Sequence, residues 1–370
     1  MRGQVKQAQQ WCGGVKALVL AAGKGTRLKP LTNTVPKHLL PVGNKLVLFH
    51  VLDYIKEAGI KDIGIVVSPD SGPYIEEALG ASSGWGGKIT FIVQPEPLGL
   101  AHAVKIAQGF LGDSPFLMLL GDNLVQEGVK DFMDEFYTSN SDASILLKRV
   151  PDPRAFGVAE LDSSGRVVHL VEKPKKPKSN LVIIGVYLFT AEIHKAIAQT
   201  KPSWRGELEI TDAIQKLLEM GKEIRSHLAR GWWLDIGSNE GLIEANRVVL
   251  DAFLKRDIKG KVDSQSRIIG RVQIGEGTKL ESSLVRGPVF IAANCRIKNS
   301  LIKPFTNIRA GTVVEDSALE HSVILENCQI LKIKRLADSV IGRNTVLAGQ
   351  GKSPKKIKLF IGDDGKVALE

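Results

Sequence analysis

Residues 15–41 read VKALVLAAGKGTRLKPLTNTVPKHLLP, and more of the fold follows from this stretch than from any other. Its opening, residues 15–20, is a short run rich in Val and Leu with glycines on both sides, as in a buried parallel strand. The run feeds Ala21, Ala22, Gly23, Lys24, Gly25, Thr26, Arg27 and Leu28. Small residues and glycines let backbone approach a bulky ligand and can aim successive N–H groups at an anion. Lys24, Arg27 and Lys37 add fixed positive charge. Composition alone leaves two readings open, a phosphate cradle and a plain tight turn. Leu28 stands where the dinucleotide fingerprint needs its third glycine, and the P-loop pattern is absent.

Downstream, apolar stripes and apolar runs alternate. Leu48, Val51, Leu52 and Ile55 keep helical spacing within residues 46–59, and Gly59 is a plausible stop. Strands are predicted at 63–67, 88–93, 116–120, 144–148, 167–171 and 182–189, and helices at 74–79, 100–108, 209–220 (one side through Ile210, Ala213, Ile214, Leu217 and Leu218) and 239–255 (through Leu242, Ala245, Val249 and Phe253). The alternation means βαβ units, hence a Rossmann-like α/β domain with a mostly parallel sheet and helices on both faces.

After about residue 257 the helical stripes end. Ile274, Ile291 and Ile308 recur at a step of 17; so do Leu280, Ile297 and Val314, and Val285, Ile302 and Leu319. Gaps of six, five and six residues within a cycle suit three flat faces joined by tight corners, with one aliphatic per face turned inward. This rhythm looks like the hexapeptide-repeat, left-handed parallel β-helix. Ile324, Ile330, Leu336, Ile341 and Leu347 continue it less cleanly, and Ile333 sits off it.

At 370 residues, with 43% hydrophobic and 24% charged residues, the chain is long enough for two domains of ordinary globular composition. The net charge of +10 is open to nucleic acid, to acidic small substrates or to no partner at all, but no basic run is interleaved with aromatics as a single-strand nucleic-acid binder needs. Cys12, Cys295 and Cys328 lie far apart without a CxxC pair, so neither a zinc site nor a disulfide framework is indicated and a reducing cytoplasm fits. No apolar run has the length to span a bilayer, and residues 1–14 hold no signal-like core.

Three further stretches can carry chemistry. Asp122, in GDN after the apolar run 116–120, falls where open α/β sheets place ligands; taken singly it is as suited to capping a helix as to binding metal. Asp235, in WWLDIG, is a possible partner, since magnesium takes one or two carboxylates plus substrate phosphates. QPEPLGLAH, residues 94–102, is by itself a proline-rich loop opening a helix.

The ordered set AAGKGTRLKPLT, VPKHLLPV, QPEPLGLA, GDN, EKP, RGELEITD and WLDIG resembles the sugar-1-phosphate nucleotidylyltransferases. The resemblance is closest to the long-form glucose-1-phosphate thymidylyltransferases, in which a β-helix follows the catalytic half. It covers residues 15 to about 247, and the β-helix extends it nearly to the end. It implies a nucleotidyltransferase domain at 15–256, a β-helix at 257–370 and an extension at 1–14 without an assigned role. It further implies that Ala22, Gly23, Gly25 and Thr26 wrap a nucleoside triphosphate, dTTP or UTP, and that Arg27 and Lys37 neutralise its phosphates. Gln94 and Gly99 face the base; His102 departs from the glutamine many short-form members carry. Gly157, Glu172 and Lys173 serve the sugar 1-phosphate, Lys173 pairing with its phosphate. Asp122 and Asp235 hold Mg²⁺. Glu207 and Asp212 are expected to support the scaffold, and a homo-oligomer through the β-helix is expected. The variants of this reading are a relaxed nucleotide choice, an acetyltransferase in the β-helix for which His321 is the candidate, and a catalytically silent nucleotide-sugar binder.

Overall fold

The computed structural model describes residues 14–81, 84–350 and 356–369; the expected extension and Cys12 lie outside the described residues apart from Gly14. Compactness divides the chain into one unit holding residues up to 23 and 48–233, and another holding 24–47 and 234–370. The second unit thus holds residues 24–47 and 234–256 together with the repeats that follow.

The first unit is built on a nine-stranded sheet. Its strands are β1 (Lys16–Leu20), β2 (Asp62–Val67), β3 (Lys88–Val93), β4 (Phe116–Leu120), β5 (Ala143–Arg149), β6 (Gly157–Leu161), β7 (Val167–Glu172), β8 (Leu181–Phe189) and β9 (Ile224–Leu228). The order is β7-β6-β8-β4-β1-β2-β3, with β5 pairing both β8 and β9. Strands β4, β1, β2 and β3 run parallel, with Lys16 opposite both Asp62 and Phe116. Their buried runs, such as KALVL and FLMLL, lack polar alternation because helices cover them. Strand β8 is antiparallel to β4, β5 and β6, which makes the sheet mixed. All nine residues of β8 are buried. The register shifts between Ile183 and Tyr187 around Gly185, whose φ is +76°. A methyl there would lie 2.7 Å from Leu120 Cδ1, so the shift in register needs glycine.

Leu18, Val66, Met118, Ile145 and Tyr187 meet Val104, Ile193, Ile214 and Leu217 in one core. Of the predicted stripe Ile210, Ala213, Ile214, Leu217 and Leu218, the first four are buried on helix Ile210–Glu219, and Leu218, at its flank, is half-buried. Helices Lys130–Ser139 and Glu192–Gln199 and strands β6 and β9 fall outside the predicted elements, although Phe132, Met133 and Phe136, and Ile193, Ala196 and Ile197, keep helical spacing on the buried faces of the two helices.

In the second unit the 17-residue step is structural register. Ile274 pairs Ile291, which pairs Ile308; Leu280, Ile297 and Val314 pair likewise, as do Val285, Ile302 and Leu319. Three parallel sheets stack in this way, consistent with a left-handed β-helix, and these aliphatics form its core. The next coil is one residue shorter, since Ile308 pairs Ile324 and Val314 pairs Ile330. That deletion explains Ile333. Ser283, Ser300 and Ser317 form a buried ladder, each hydroxyl accepting the next backbone N–H, and the last rung is the N–H of Ile333. Ile333 is fully buried at the ladder's end. Helix Asn239–Phe253 buries Leu242, Ala245 and Val249 as expected, whereas Phe253 is 57% exposed. The helix ends at Phe253, and Leu250 and Leu254 reach Phe290 instead.

Candidate active site

In the first unit, β1 lies between β2 and β4, so the chain leaves its carboxyl end at a topological switch point. Ala21 N–H donates to Val66 O and Gly121 N–H to Leu20 O, at 2.7 and 2.9 Å, which brings Ala22, Gly23 and Asp122 to one edge. Asp122 is buried, 7% exposed, and its Oδ1 accepts from Asn123 Nδ2 at 3.2 Å. Trp233 Nε1 donates to Asn123 Oδ1 at 2.8 Å, and the Trp233 ring stands edge-on to Phe156. Asn123 and Trp233 thus orient this carboxylate. The GDN and WWLD strings contain both, but nothing in either string signals that they touch.

Gln94 follows β3 and is buried, with its N–H on Val67 O. Its Nε2 lies 3.2 Å from Gly99 O and 3.0 Å from His102 Nδ1. A backbone carbonyl can only accept, so the amide nitrogen faces inward and Oε1 is the acceptor left to present to a ligand. Gly99 has φ +101° and ψ 172°, a region nearly reserved for glycine. A methyl on it would meet Leu208 O at 2.4 Å. Hydrogen bonds from Leu208 N to Leu98 O and from Ala101 N to Leu208 O lock the loop to residues 203–208.

Gly157, Glu172 and Lys173 come together. A methyl on Gly157 would lie 2.8 Å from Thr211 Oγ1 and 3.2 Å from Glu172 Oε2. Thr211 Oγ1 donates to Glu172 Oε2 at 2.7 Å, and Lys173 Nζ lies 3.2 Å from Glu172 Oε1. Lys173 is exposed with φ +44°, a conformation a lysine adopts only when its surroundings impose it; its N–H on Phe156 O contributes. Arg205 joins Glu207 and Glu209 and reaches within 3.9 Å of Glu172. Burial and the Glu172 charge raise the Glu209 and Asp212 carboxyls above the usual range. Arg205 and Thr211 were missing from the sequence reading. They lie in RGELEITD, whose apolar periodicity reads as scaffold.

In the second unit, Gly25 has φ +64° and opens the 3₁₀ turn Thr26–Leu28. Thr32 Oγ1 donates to Gly25 O at 2.8 Å, and a methyl on Gly25 would meet Lys37 Cβ at 3.2 Å. The glycine loop and the Lys37 stem are therefore in contact. Arg27 and Asp235 also converge. A methyl on Gly237 would lie 2.6 Å from Arg27 Nη2 and 3.1 Å from Asp235 Oδ1. Ser238 caps the following helix, accepting Gly241 N–H at 3.1 Å. His321 Nδ1 lies 2.7 Å from Asp338 Oδ1.

Residues 16–252 match the pattern of the nucleotidyl transferase family. The chain belongs to that family. Over 355 residues it is 46% identical to a glucose-1-phosphate thymidylyltransferase of Streptomyces griseus, covering 96% of this chain and 99% of the relative. A bifunctional protein GlmU of Methanocaldococcus jannaschii is 34% identical over 89% of this chain and 78% of its own length. A UDP-glucose pyrophosphorylase solved with UDP-glucose aligns with a TM-score of 0.59 and 28% identity, covering 65% of this chain and 99% of that structure. The chain is accordingly a nucleotidyltransferase. Among the described residues, no three His, Cys, Asp or Glu side chains form a metal cluster. Asp122 in the first unit and Asp235 in the second are each a carboxylate of the kind that magnesium takes alongside substrate phosphates. Among the described residues, no helix is long and apolar enough to cross a membrane.

Proposed function

We propose that the protein transfers a thymidylyl group from dTTP to glucose 1-phosphate, giving dTDP-glucose and pyrophosphate. The phosphate oxygen of the sugar, already ionised, attacks the α-phosphorus in line, and the bond to the β-phosphate oxygen breaks. No proton need be removed by the protein, so its work is positioning and preorganised charge. Arg27 and Lys37 take the triphosphate, Ala22, Gly23, Gly25 and Thr26 its backbone-facing side, and Lys173 the charge of the nucleophile. Gly157 and Glu172 seat the sugar, with Thr211 holding Glu172. The acceptor Oε1 of Gln94 suits the N3–H of thymine or uracil and not cytosine, whose N3 is itself an acceptor. Mg²⁺, with Asp122 and Asp235 as ligands, supplies charge neutralisation between the two polyanions when bound. The setting is the cytoplasm, and the β-helix mediates self-association.

The approach of the Arg27 guanidinium and the Asp235 carboxylate to one point beside Gly237 supports this reading, because it sets the proposed phosphate-binding cation next to a proposed metal ligand. The test is pyrophosphate release from glucose 1-phosphate with dTTP, UTP, ATP, CTP and GTP offered separately. The highest rate is expected with dTTP, and a preference for UTP reassigns the base. Arg27→Ala and Asp122→Asn are each expected to lower the rate by roughly 10²–10³. Near-wild-type rates in both overturn the site.

A further inference from the structure

Residues 24–47, which carry Arg27 and Lys37, belong to the same compact unit as the β-helix, and specific bonds tie them to it. One bond is at the last coil: Thr34 Oγ1 donates to Asp363 Oδ2 at 2.7 Å, and Asp363 Oδ1 accepts the Arg343 N–H at 2.7 Å. A second attachment is a buried amide cluster. Asn246, on helix Asn239–Phe253, accepts on Oδ1 from Gly43 N–H at 3.1 Å and from Asn307 Nδ2 at 3.0 Å. Asn307 Nδ2 also donates to Gly43 O at 2.7 Å, and Asn246 Nδ2 donates to Phe305 O at 3.0 Å. Both asparagines are fully buried.

Asn307 is in register with Phe290 and Val323, beside the inward Ile308 column, on the outer side of its β-helix strand. This outer column is covered, since Phe290 and Val323 are buried as well. Asn307 lies under the turn at Gly43, where φ is +59° and a methyl would meet Val249 Cγ1 at 2.8 Å. Its Oδ1 has no hydrogen-bond partner, and an unpaired buried amide oxygen is destabilising. A leucine or valine would avoid that cost, so simple packing does not account for the choice of asparagine.

From Gly43 the path back to Lys37 is short and bonded throughout. Pro41 and Val42 pair with Leu46 and Lys45, Val47 N–H donates to Leu40 O, and Leu40 N–H donates to Lys37 O. We propose that Asn307, acting with Asn246, is a positioning residue that sets Lys37 for the nucleotide triphosphate, so that the β-helix takes part in substrate binding. The proposal rests on the reading of Lys37 given above.

The test uses the full chain and dTTP. Asn307→Leu is expected to raise the KM and the calorimetric Kd for dTTP about tenfold, since a shift on the order of 1 Å in a binding group has effects of this size or larger. KM for glucose 1-phosphate should stay within about twofold. Thr312→Val removes a fully buried β-helix hydroxyl, one bonded to Leu325 O and Cys328 N, and controls for lost stability alone; it should lower the melting temperature and leave the dTTP constants unchanged. Should Asn307→Leu not fold, Asn307→Ser carries the same test with a smaller effect. In a Lys37→Ala background the Asn307 substitution should add almost nothing, because both act on one contact. A dTTP Kd unmoved by Asn307→Leu, or an effect of full size in the Lys37→Ala background, overturns the positioning role. If Lys37→Ala alone leaves dTTP binding intact, the reading of Lys37 fails first, and the positioning role falls with it.

Discussion

Gly99→Ala probes the base-side loop most directly. The residue sits at φ +101° and ψ 172°, where a side chain costs about 1–3 kcal/mol in backbone strain alone. The new methyl would also lie 2.4 Å from Leu208 O and 2.8 Å from Leu208 N, against an ordinary contact of 3.4 Å or more. These are backbone atoms, and Leu208 is held by hydrogen bonds on both sides, so no flexible side chain can yield. Relief requires the loop to move by about 1 Å, a displacement able to cost about 10² in rate when it falls on a substrate-positioning group. Pyrophosphate release should show kcat/KM for dTTP lowered about 10²-fold, with the larger share in KM. Gly221→Ala is the control: φ is +75° but nothing lies within 4 Å, so only the strain of about 1–2 kcal/mol should appear, as a lower melting temperature with unchanged kinetics. A Gly99→Ala enzyme within about threefold of wild type in kcat/KM would refute the argument that this glycine is needed for clearance.

Thr211→Val removes the hydroxyl that holds Glu172 at 2.7 Å. Hydrogen bonds to charged groups are worth about 1.5–3 kcal/mol, so KM for glucose 1-phosphate should rise tenfold or more while KM for dTTP stays level; a rise in the dTTP constant instead would move Glu172 away from the sugar. Asp212 has its carboxyl pKa raised in the folded state by burial and then by Glu172. The folded form therefore binds the proton more tightly, and this residue's contribution to stability falls as pH rises from about 4, the unfolded value, through the raised one. Melting curves of Asp212→Asn should gain on wild type between pH 4 and 7, and a gap moving the other way contradicts the burial argument. Cys295 and Cys328 are buried; burial raises both thiols, and Cys328 is pushed up to about 12. In a Cys12→Ser chain, Ellman's reagent at pH 8 should find no reactive thiol until denaturant is added.

Much of the architecture was legible because it repeats. Strand runs such as FLMLL and the stripe through Ile210, Ile214 and Leu217 state their burial in one dimension, and the 17-residue step of Ile274, Ile291 and Ile308 became pairing register. Helix Lys130–Ser139 does keep helical spacing in Phe132, Met133 and Phe136, but over only about three turns, too short a stripe to stand out. The off-step Ile333 was visible as an irregularity, yet its place at the end of the serine ladder could not be read, since ladder rungs are 16 or 17 residues apart.

Residue order alone settled which side chains bring charge and which glycines stand beside them, because motif chemistry is local: Gly25 with Arg27, Gln94 with Gly99, Glu172 with Lys173. Tertiary structure alone decided the company those groups keep. Thr211 reaching Glu172, Arg27 drawn beside Gly237, and Asn307 seated under Gly43 join residues 39 to 264 positions apart. Hydrogen bonds and steric clearance act over about 3 Å of space whatever the separation along the chain, so only folding brings such partners into range.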